Sequence, residues 1–379
     1  MPYQVRVFLI QQLIELRKNG FNVTVISGKD PILEKQLSLN GIKYEVIQFV
    51  RGPSFFADLK SLLKLIRILK KINPDIVHSM SSKAGLLSSV AGKIAGINIT
   101  IHTFAGNPWL GKRGIVRWVA ILSDKLICYF NSACLSDSFS QVKLLESSNI
   151  CIPSSIKVIA NGSVCGVDLN RFKVTVPSKA LKNNLGINAK SVVIIFIGRI
   201  TREKGIEDLA HVVRNLNDAK KSFHLLLLGD EDVYHDPPQI EYLKFLKTQP
   251  NVHFIGFVAD PEKYLSISNI LLIPSYREGF CNAVIEAGAM GVPAIGYRIS
   301  GLIDSIQDGE TGILVEERNI KEMSRKVIQM VEHPERVRQL GQNARTRVVE
   351  KFSADFVNLN TRLFYYEMLR CRRWDHLSI

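Results

Sequence analysis

Short apolar runs alternate with amphipathic stretches along the whole chain. In the first half, apolar runs that predict strands lie at residues 22–28, 75–80 and 99–104. In the second half, such runs lie at residues 192–198, 224–230, 251–256, 270–275 and 293–297. Apolar runs separated by helical periodicity are typical of parallel sheets covered by helices. The pattern predicts an α/β fold with two Rossmann-like, doubly wound domains, residues 1–175 and 176–352.

The segments that join and flank these domains have different patterns. Residues 161–190 are rich in Gly, Asn, Pro and Lys and lack sustained periodicity, which predicts the linker. Residues 353–370 predict a terminal helix, which can pack on either domain and is a candidate to pack back on the first. The pattern from Val5 to Asn19 predicts an amphipathic helix directly before the first strand. A Rossmann-like domain normally begins with a strand and a glycine-bearing turn, so this first strand is expected to be missing.

Composition excludes several classes of protein. The chain has 379 residues, which is long for one core, and its 46% apolar content and mean hydropathy of +0.08 exclude a disordered or fibrous protein. No apolar run approaches the roughly 18 residues that a membrane-spanning helix needs. The six cysteines lack metal-ligand spacing and no signal peptide precedes them, which predicts a cytoplasmic protein with reduced thiols.

The net charge of +14 is concentrated in one half of the chain. Residues 1–178 contain 22 Lys and Arg against 10 Asp and Glu, a net charge of +12, whereas residues 179–379 contain 27 against 25. This excess predicts an anionic partner, which can be a nucleic acid, a membrane surface or a phosphorylated substrate. No helix-turn-helix, zinc or RRM pattern accompanies the charge, so no nucleic-acid partner is expected.

The segment 274–312 contains the most informative polar residues. A predicted strand leads into a turn with Glu278 and Gly279, and Phe280 to Gly291 then predict a helix whose N-terminal N–H groups can bind an anion. At 1.5 Å per residue, Glu278 and Glu286 would lie about 12 Å apart. This is too far for a glycosidase acid/base pair but suits the two ends of a nucleotide sugar, with Glu278 at the sugar and Glu286 at the ribose. The alternative is that both glutamates are ordinary polar residues of a helix and bind no ligand.

A second cluster, residues 198–205, lies between an apolar strand and a helix. It contains Arg199 and Lys204 at the carboxyl edge of a predicted parallel sheet, where such sheets bind ligands. Two cations there can clamp a diphosphate and stabilise the charge of a departing nucleoside diphosphate. A solvated basic loop is the alternative.

Five segments resemble motifs of one enzyme family. They are GRITREKG at 198–205, SYREGF at 275–280 with its Glu-x7-Glu spacing, NGS with GVDLNRF within 161–172, SKAG at 82–85 and HTFAG at 102–106. Along the chain these segments follow the order found in the retaining glycosyltransferases of family 4, which they resemble. The resemblance is greatest to bacterial enzymes that build surface polysaccharide such as lipopolysaccharide on a lipid diphosphate carrier. The resemblance implies the GT-B fold, in which two Rossmann-like domains face a cleft. It also implies metal-independent transfer of a sugar from a nucleotide donor, for which we expect UDP.

The resemblance implies roles for individual residues. Arg199, Lys204 and Glu278 are predicted catalytic residues, and Glu286 binds the donor. The turn 279–282 is expected to cover the donor, so the predicted donor site also includes Gly198, Gly279, Phe280, Cys281 and Asn282. His102 is the fourth predicted catalytic residue. It is expected at the end of the strand at 99–104, where it matches a family histidine that faces the reacting sugar and can orient the donor or assist the acceptor hydroxyl. A structural role is the alternative.

The N-terminal domain is expected to bind the acceptor. Ser82 and Lys83 begin a predicted helix after the strand at 75–80, and a helix N-terminus with a lysine suits the acceptor's phosphates. An ordinary N-cap is the alternative. Trp109 is the third predicted acceptor contact.

Two basic features predict contact with an anionic membrane. The first, the basic stripe, follows one side of a predicted helix and consists of Lys60, Lys64, Arg67 and Lys71, with Leu62, Leu63, Leu65, Ile66 and Leu69 on its other side. The second, the aromatic-basic segment, consists of Trp109, Lys112, Arg113, Arg117 and Trp118. A basic residue near anionic lipid contributes about 1 kcal/mol of attraction. A solvated helix face is the alternative for both features.

These patterns predict a cytoplasmic glycosyltransferase, peripheral at the inner face of the membrane, that uses a nucleotide sugar and a lipid-linked or polysaccharide acceptor. Asp230 and Asp232 match the Asp-x-Asp pattern of metal-dependent enzymes, but Arg199 and Lys204 already supply the counter-charge, so neither a metal nor a cofactor is expected. Two alternatives stay open. One is a UDP-sugar epimerase of the same fold, and the other is an N-terminally truncated, non-catalytic remnant.

Overall fold

The computed structural model describes residues 2–50, 52, 54–188, 190–232 and 236–375, with side chains up to residue 371. Contacts divide the chain into two compact units. Unit 1 extends to Gly166 and includes the chain from Ala354 onward, whereas unit 2 is Val167–Ser353. Within the described ranges, none of the helices combines the length and the apolarity needed to cross a bilayer.

Unit 1 is built on parallel strands. They are β1 Thr24–Ser27, β2 Lys43–Val46, β3 Ile76–Met80, β4 Ile99–Phe104, β5 Ala133–Ser136 and β6 Ile156–Val158. β1 pairs with β2, and the other four form a sheet in the order β3-β4-β5-β6. The predicted strands of the first half correspond to β1, β3 and β4. The apolar pattern does not predict β2, β5 or β6. β2 and β6 contain charged residues, Lys43 and Glu45 in β2 and Lys157 in β6, which interrupt the apolar run.

Helices precede and cover the strands of unit 1. They are α1 Pro2–Gln4, a π-helix at Val5–Leu9, α2 Ile10–Lys18, α3 Pro31–Leu39, α4 Phe55–Ile72, α5 Ser82–Ala95, α6 Gly114–Phe130 and α7 Phe139–Ser147. In the described part of the chain no strand comes before β1, as expected from the helical pattern at the N-terminus. α5 packs against both α4 and α6 and also against β3 and β4, so these helices form one layer on the sheet.

Unit 2 contains one six-stranded parallel sheet. Its strands are β7 Val192–Ile197, β8 Phe223–Leu228, β9 Val252–Gly256, β10 Ile270–Ile273, β11 Ala294–Tyr297 and β12 Gly312–Val315. They lie in the order β12-β11-β10-β7-β8-β9. This is the strand order of a Rossmann fold. All strands are parallel, but their sequence order runs outward in one direction from β7 to β9 and in the other from β10 to β12, so the order reverses between β7 and β10. The predicted second doubly wound sheet is therefore confirmed, with β12 added.

Helices cover this sheet, and its strands form the core. The helices are α8 Lys179–Asn184, α9 Ile206–Asp218, α10 Ile240–Thr248, α11 Pro261–Leu265, α12 Asn282–Ala289, α13 Leu302–Ser305, α14 Ile320–Glu332 and α15 Pro334–Lys351, with a 3-10 turn at Arg202–Lys204. Residues 193–196, 225–228 and 270–273 are at most 2% exposed. The predicted linker is partly folded, because Val167 and Phe172 are buried in the core of unit 2.

The last helix of the described chain is α16 Ala354–Asp375, which belongs to unit 1. Phe364 and Tyr365 are buried on it and pack with Leu16 and Ile99. The Tyr365 hydroxyl also lies 2.6 Å from Nδ1 of His78 on β3. Apolar burial and this polar contact together attach the terminal helix to the sheet of unit 1.

Candidate active site

Two neighbouring strands of unit 2 place the predicted donor residues at one edge of the sheet. β7 leads into residues 198–205, and β10 leads into residues 274–281. The two strands pair directly, with Ile194 opposite Ile270, although β8 and β9 lie between them in the sequence. Parallel strands end at the same edge, so both segments lie where the strand order reverses. Ligands of doubly wound sheets bind at this position.

Close backbone contacts join these two segments. Gly205 has a φ of +74°, and a Cβ atom there would lie 1.9 Å from the carbonyl oxygen of Pro274. Only glycine permits this conformation and this approach. The N–H of Tyr276 donates to the carbonyl oxygen of Glu203 at 2.9 Å. These contacts fix the segment that contains Lys204 against the segment that contains Glu278.

Lys204 and Glu278 form an ion pair across the two segments. The Nζ atom of Lys204 lies 2.7 Å from Oε1 of Glu278, and the side chains are only 19% and 12% exposed. A charge-assisted hydrogen bond shielded from bulk water is stronger than one in solution. Two residues predicted from separate motifs are thus brought together and oriented by each other.

Arg199 belongs to an adjacent network of charges. Its guanidinium contacts Glu203 at 2.8 Å and Asp232 at 3.1 Å. Glu203 also binds Arg277 at 2.6 Å, so one carboxylate orients two arginines. The side chains of Arg199 and Arg277 are 53% and 32% exposed, which leaves both cations accessible to an anion. Neither Glu203 nor Arg277 is among the residues predicted from the sequence, although Glu203 is four residues from Arg199, the spacing of an ion pair.

The helix after Glu278 is shorter than the predicted span from Phe280 to Gly291. α12 begins at Asn282, with Cys281 as its N-cap residue, and ends at Ala289. Glu278 therefore lies in the loop before the helix. The separation of about 12 Å between Glu278 and Glu286 is calculated with helical rise over the whole segment. That calculation is wrong, because the rise does not apply to the loop before Asn282.

Phe280 and Cys281 have a role that their motif does not indicate. Their side chains are 8% and 6% exposed and belong to the core of unit 2. The Phe280 ring packs against Phe352 with 5.5 Å between centroids, and burial raises the pKa of the Cys281 thiol. Only the backbone of these two residues is available to a donor. Gly198, Gly279 and Asn282 are less deeply buried.

Glu286 lies on α12 in a partly buried position. Burial raises the pKa of this carboxyl to about 7, while Arg171 opposes the shift and Glu262 adds to it. Arg171 binds Glu262 at 2.8 Å and the carbonyl oxygen of Ala259 at 2.5 Å. The positive charge of Arg171 therefore acts on two carboxylates, Glu286 and Glu262. With its raised pKa, the Glu286 carboxyl titrates near neutral pH. Arg171 lies in the GVDLNRF segment, and the sequence predicts no individual role for it.

The acidic triplet after β8 is divided among different partners. Asp230 accepts a hydrogen bond from the N–H of Phe257 at 3.1 Å, and Glu231 pairs with Lys247 at 2.6 Å. Asp232 contacts Arg199, as described above. Among the described residues, no three His, Cys, Asp or Glu side chains are grouped so that they could bind a metal ion.

His102 lies inside the sheet of unit 1, not at the end of its strand. It is the fourth residue of β4, is 1% exposed, and its Nδ1 lies 2.9 Å from Oγ of Ser79. A Cβ at Gly85 would lie 2.3 Å from the imidazole, so α5 packs directly on the ring. Burial lowers the pKa of His102 to about 3, which keeps it neutral. The prediction that His102 ends its strand is therefore wrong, because β4 continues for two residues to Phe104.

Ser82 and Lys83 begin α5, as predicted. The Lys83 amine lies 2.5 Å from a carboxylate oxygen of Asp58 and donates to the carbonyl oxygens of Val50 and Gly52 at 2.7 and 2.5 Å. Its charge is therefore already balanced by a neighbouring carboxylate. An acceptor phosphate would have to compete with Asp58 for this amine.

Trp109 is not at the surface. Its side chain is 1% exposed and packs with Phe104 and Ile127, so the indole is not presented to an acceptor or a membrane. The other members of the aromatic-basic segment, Lys112, Arg113, Arg117 and Trp118, are exposed. The four residues of the basic stripe are exposed as well, although Leu63, expected on the packed side, is 48% exposed.

Two units built on parallel sheets, with clustered charges where the second sheet reverses its strand order, have the architecture of GT-B glycosyltransferases. Residues 5–162 match Glycosyltransferase Family 4, and residues 177–347 match the glycosyl transferases group 1. The chain belongs to this glycosyltransferase family.

Similar proteins support the same classification. The chain is 32% identical over 346 residues to the capsular polysaccharide biosynthesis glycosyltransferase CapM of Staphylococcus aureus. The matched region covers 91% of this chain and 90% of CapM. It is 25% identical to the UDP-Gal:alpha-D-GlcNAc-diphosphoundecaprenol alpha-1,3-galactosyltransferase of Escherichia coli, over 91% and 88% of the two chains. The solved structure of Anabaena HepE in complex with UDP-glucose has a TM-score of 0.77 at 20% identity, over 95% and 94%. The predicted GT-B fold is confirmed.

Proposed function

We propose that this protein is a retaining, metal-independent glycosyltransferase of surface polysaccharide biosynthesis. It transfers a sugar from a UDP-linked donor to a lipid-linked acceptor. The observation that carries the proposal is the pair of charge clusters at the reversal point of the second sheet, one built on Lys204 and Glu278 and one on Arg199. The relatives support the substrate classes, because the name of the E. coli enzyme contains UDP-Gal and a diphosphoundecaprenol-linked sugar.

The cations of the site bind the donor diphosphate. Arg199, Lys204 and Arg277 are each paired with a carboxylate, and a diphosphate carries more negative charge than one carboxylate, so it competes for them. Charge on the leaving phosphate grows as the bond to the sugar breaks. Contacts that strengthen in this way lower the barrier rather than only the binding energy. These cations and the N-terminus of α12 supply the counter-charge that a metal supplies elsewhere.

The two glutamates contact the ends of the donor. When a phosphate oxygen takes the amine of Lys204, the carboxylate of Glu278 is released toward the sugar. The ionised form of Glu286 accepts hydrogen bonds from the ribose hydroxyls. Arg171 favours that ionised form, and so acts on the donor through Glu286.

Unit 1 binds the acceptor and the membrane. Ser82 and the amine of Lys83 are the candidates for the acceptor diphosphate, in exchange for Asp58. His102, neutral beneath α5, positions that helix and does not exchange a proton near neutral pH. The exposed basic residues of unit 1 bring the enzyme to the inner face of the anionic cell membrane.

The test is a donor panel with a natural acceptor mixture. The protein is incubated with UDP- and GDP-sugars and a bacterial lipid extract, and products are identified by mass spectrometry. We expect a glycolipid one sugar larger than its precursor, formed from a UDP-sugar. Isomerisation of free UDP-sugar without a glycolipid would indicate an epimerase. No consumption of any donor would indicate a non-catalytic protein.

A further inference from the structure

α6 of unit 1 exposes an apolar face. The exposed fractions are 71% for Ile115, 59% for Trp118, 44% for Val119 and 38% for Leu122. Offsets of three, four and seven residues from Ile115 place these side chains on one side of the helix. Val116, beside them, is 55% exposed. Exposed large apolar side chains this close together mark an interaction surface.

The core does not require these residues. The opposite side of α6 contains Ile127 and Asp124, both fully buried, and Ile121 packs against the cluster around Trp109. The helix therefore has one apolar side in the core and a second one in solvent. A surface helix normally has a polar outer side, so the outer side of α6 is composed for contact with an apolar medium.

The charges around this face indicate what that medium is. Lys112 and Arg113 directly precede α6, Lys125 lies on it, and all three are exposed. The acidic residue of the helix, Asp124, is buried in the core. The outer surface of α6 thus combines large apolar groups with cations and no carboxylate. That composition fits anionic lipid, where apolar side chains enter the acyl boundary and cations contact headgroups.

A second helix in the same layer also exposes large apolar side chains and cations, and its carboxylate, Asp58, is paired with Lys83. On α4, Phe55 and Phe56 are 78% and 84% exposed, and Leu59 and Leu63 follow at 43% and 48%. Exposed cations follow along the helix at Lys60, Lys64 and Arg67. α4 and α6 both pack against α5, so the two apolar faces belong to one helical layer of unit 1.

We propose that the outer face of α6, together with the first half of α4, inserts into the acyl boundary of an anionic leaflet. Cations attract the protein to the surface, and the apolar side chains then retain it. This inference rests on the proposed function, because a lipid-linked acceptor gives the enzyme a reason to bind a membrane. Binding to lipid itself does not require sugar transfer. Attraction by charge alone is screened at high salt, whereas insertion is not.

Vesicle co-sedimentation of the full chain tests the proposal. The face variant carries Ile115→Ser, Trp118→Ser and Leu122→Ser. A matched control carries serine at three exposed apolar positions outside α4 and α6, Leu39, Ile152 and Val176. With phosphatidylglycerol vesicles, we expect wild type and control to keep measurable binding at about 1 M salt. The face variant should bind at least about tenfold more weakly at low and high salt.

Tryptophan fluorescence reports insertion directly. Lipids brominated along the acyl chain should quench Trp118, and Trp118→Phe should remove that quenching while vesicle binding stays within about twofold, because phenylalanine keeps a large apolar side chain. Binding of the face variant equal to wild type, or no quenching of Trp118, would overturn the proposal. A wild-type dimer in light scattering that the face variant abolishes, with vesicle binding unchanged, would assign the face to a second copy of the chain instead.

The same variants separate this proposal from the proposed function. UDP affinity, measured by calorimetry without lipid, should be equal in wild type, control and face variant. A protein that binds and inserts into vesicles but transfers no sugar would refute the proposed function and leave the insertion intact. A protein that transfers sugar to a detergent-solubilised acceptor but shows no insertion would do the reverse.

Discussion

Replacing Lys204 by alanine removes the cation that links the two segments of the candidate donor site. Lys204 is in the turn after β7, and its amine lies 2.7 Å from Glu278 in the loop after β10. In our account the same amine binds the leaving diphosphate. The substitution therefore removes a contact that strengthens as the donor bond breaks. Turnover should fall more than donor affinity.

The expected size of the effect follows from the environment of the pair. Deleting one donor that stabilises developing charge in a shielded site costs about 2.7 to 4 kcal/mol, or 10² to 10³ in turnover. With side chains 19% and 12% exposed, the pair is shielded enough for this range to apply. Glu278 loses its partner, and we expect the free energy of unfolding to fall by about 1 to 2 kcal/mol, between the values for exposed and for buried pairs.

Initial rates at saturating acceptor, UDP calorimetry and urea unfolding measure these three quantities. Lys221→Ala is the matched control, because Lys221 also pairs with a glutamate, Glu332, but lies before β8 at the opposite edge of the sheet. The control should retain wild-type turnover. Turnover of Lys204→Ala within threefold of wild type, with folding intact, would refute the role of Lys204.

Further predictions test the rest of the site and the basic unit. Glu286→Ala should weaken UDP binding about tenfold or more while slowing the bound complex less, and equal UDP affinity by calorimetry would remove this assignment. The raised pKa of Glu286 means that its ionised form gains population from pH 6 to 8. The affinity for a UDP-sugar, whose diphosphate has no group that titrates in this range, should therefore rise in wild type and stay flat in Glu286→Gln. EDTA should leave activity intact, whereas a full loss restored by Mn²⁺ would favour a metal site at Asp230 and Asp232. Charge reversal at Lys112, Arg113 and Arg117 should lower vesicle binding at low salt and leave donor affinity unchanged. Unaltered co-sedimentation with vesicles would contradict this prediction.

The local pattern of apolar residues is sufficient to predict most strands of the unit 2 core. The runs at 192–198 and 224–230 are apolar because both faces of the parallel sheet are covered. β7 lies within the first run, and β8 begins one residue before the second. β2 and β6 are interrupted by charged residues and do not read as apolar runs. The charge pairs of the site depend on long-range strand order, since Lys204 and Glu278 are 74 residues apart and meet only because β7 and β10 are neighbours.

Pattern is insufficient where one residue type serves two environments. Trp109 and Trp118 lie among the same basic residues, yet the first is 1% and the second 59% exposed. Spacing along a single helix cannot distinguish the side that packs on the sheet from an outer side of equal hydrophobicity, as α6 demonstrates. His102 is a similar case, because a histidine in an apolar strand is compatible both with the interior and with the strand end.

The most direct test of the account measures two products in one reaction. A UDP-sugar and a lipid-linked acceptor are incubated with the protein, and free UDP and glycolipid are quantified over time. Transfer predicts that UDP and glycolipid appear in equal amounts, and that neither forms without acceptor beyond slow hydrolysis. Conversion of the donor to another UDP-sugar without release of UDP, or no change in the donor at all, would contradict the account.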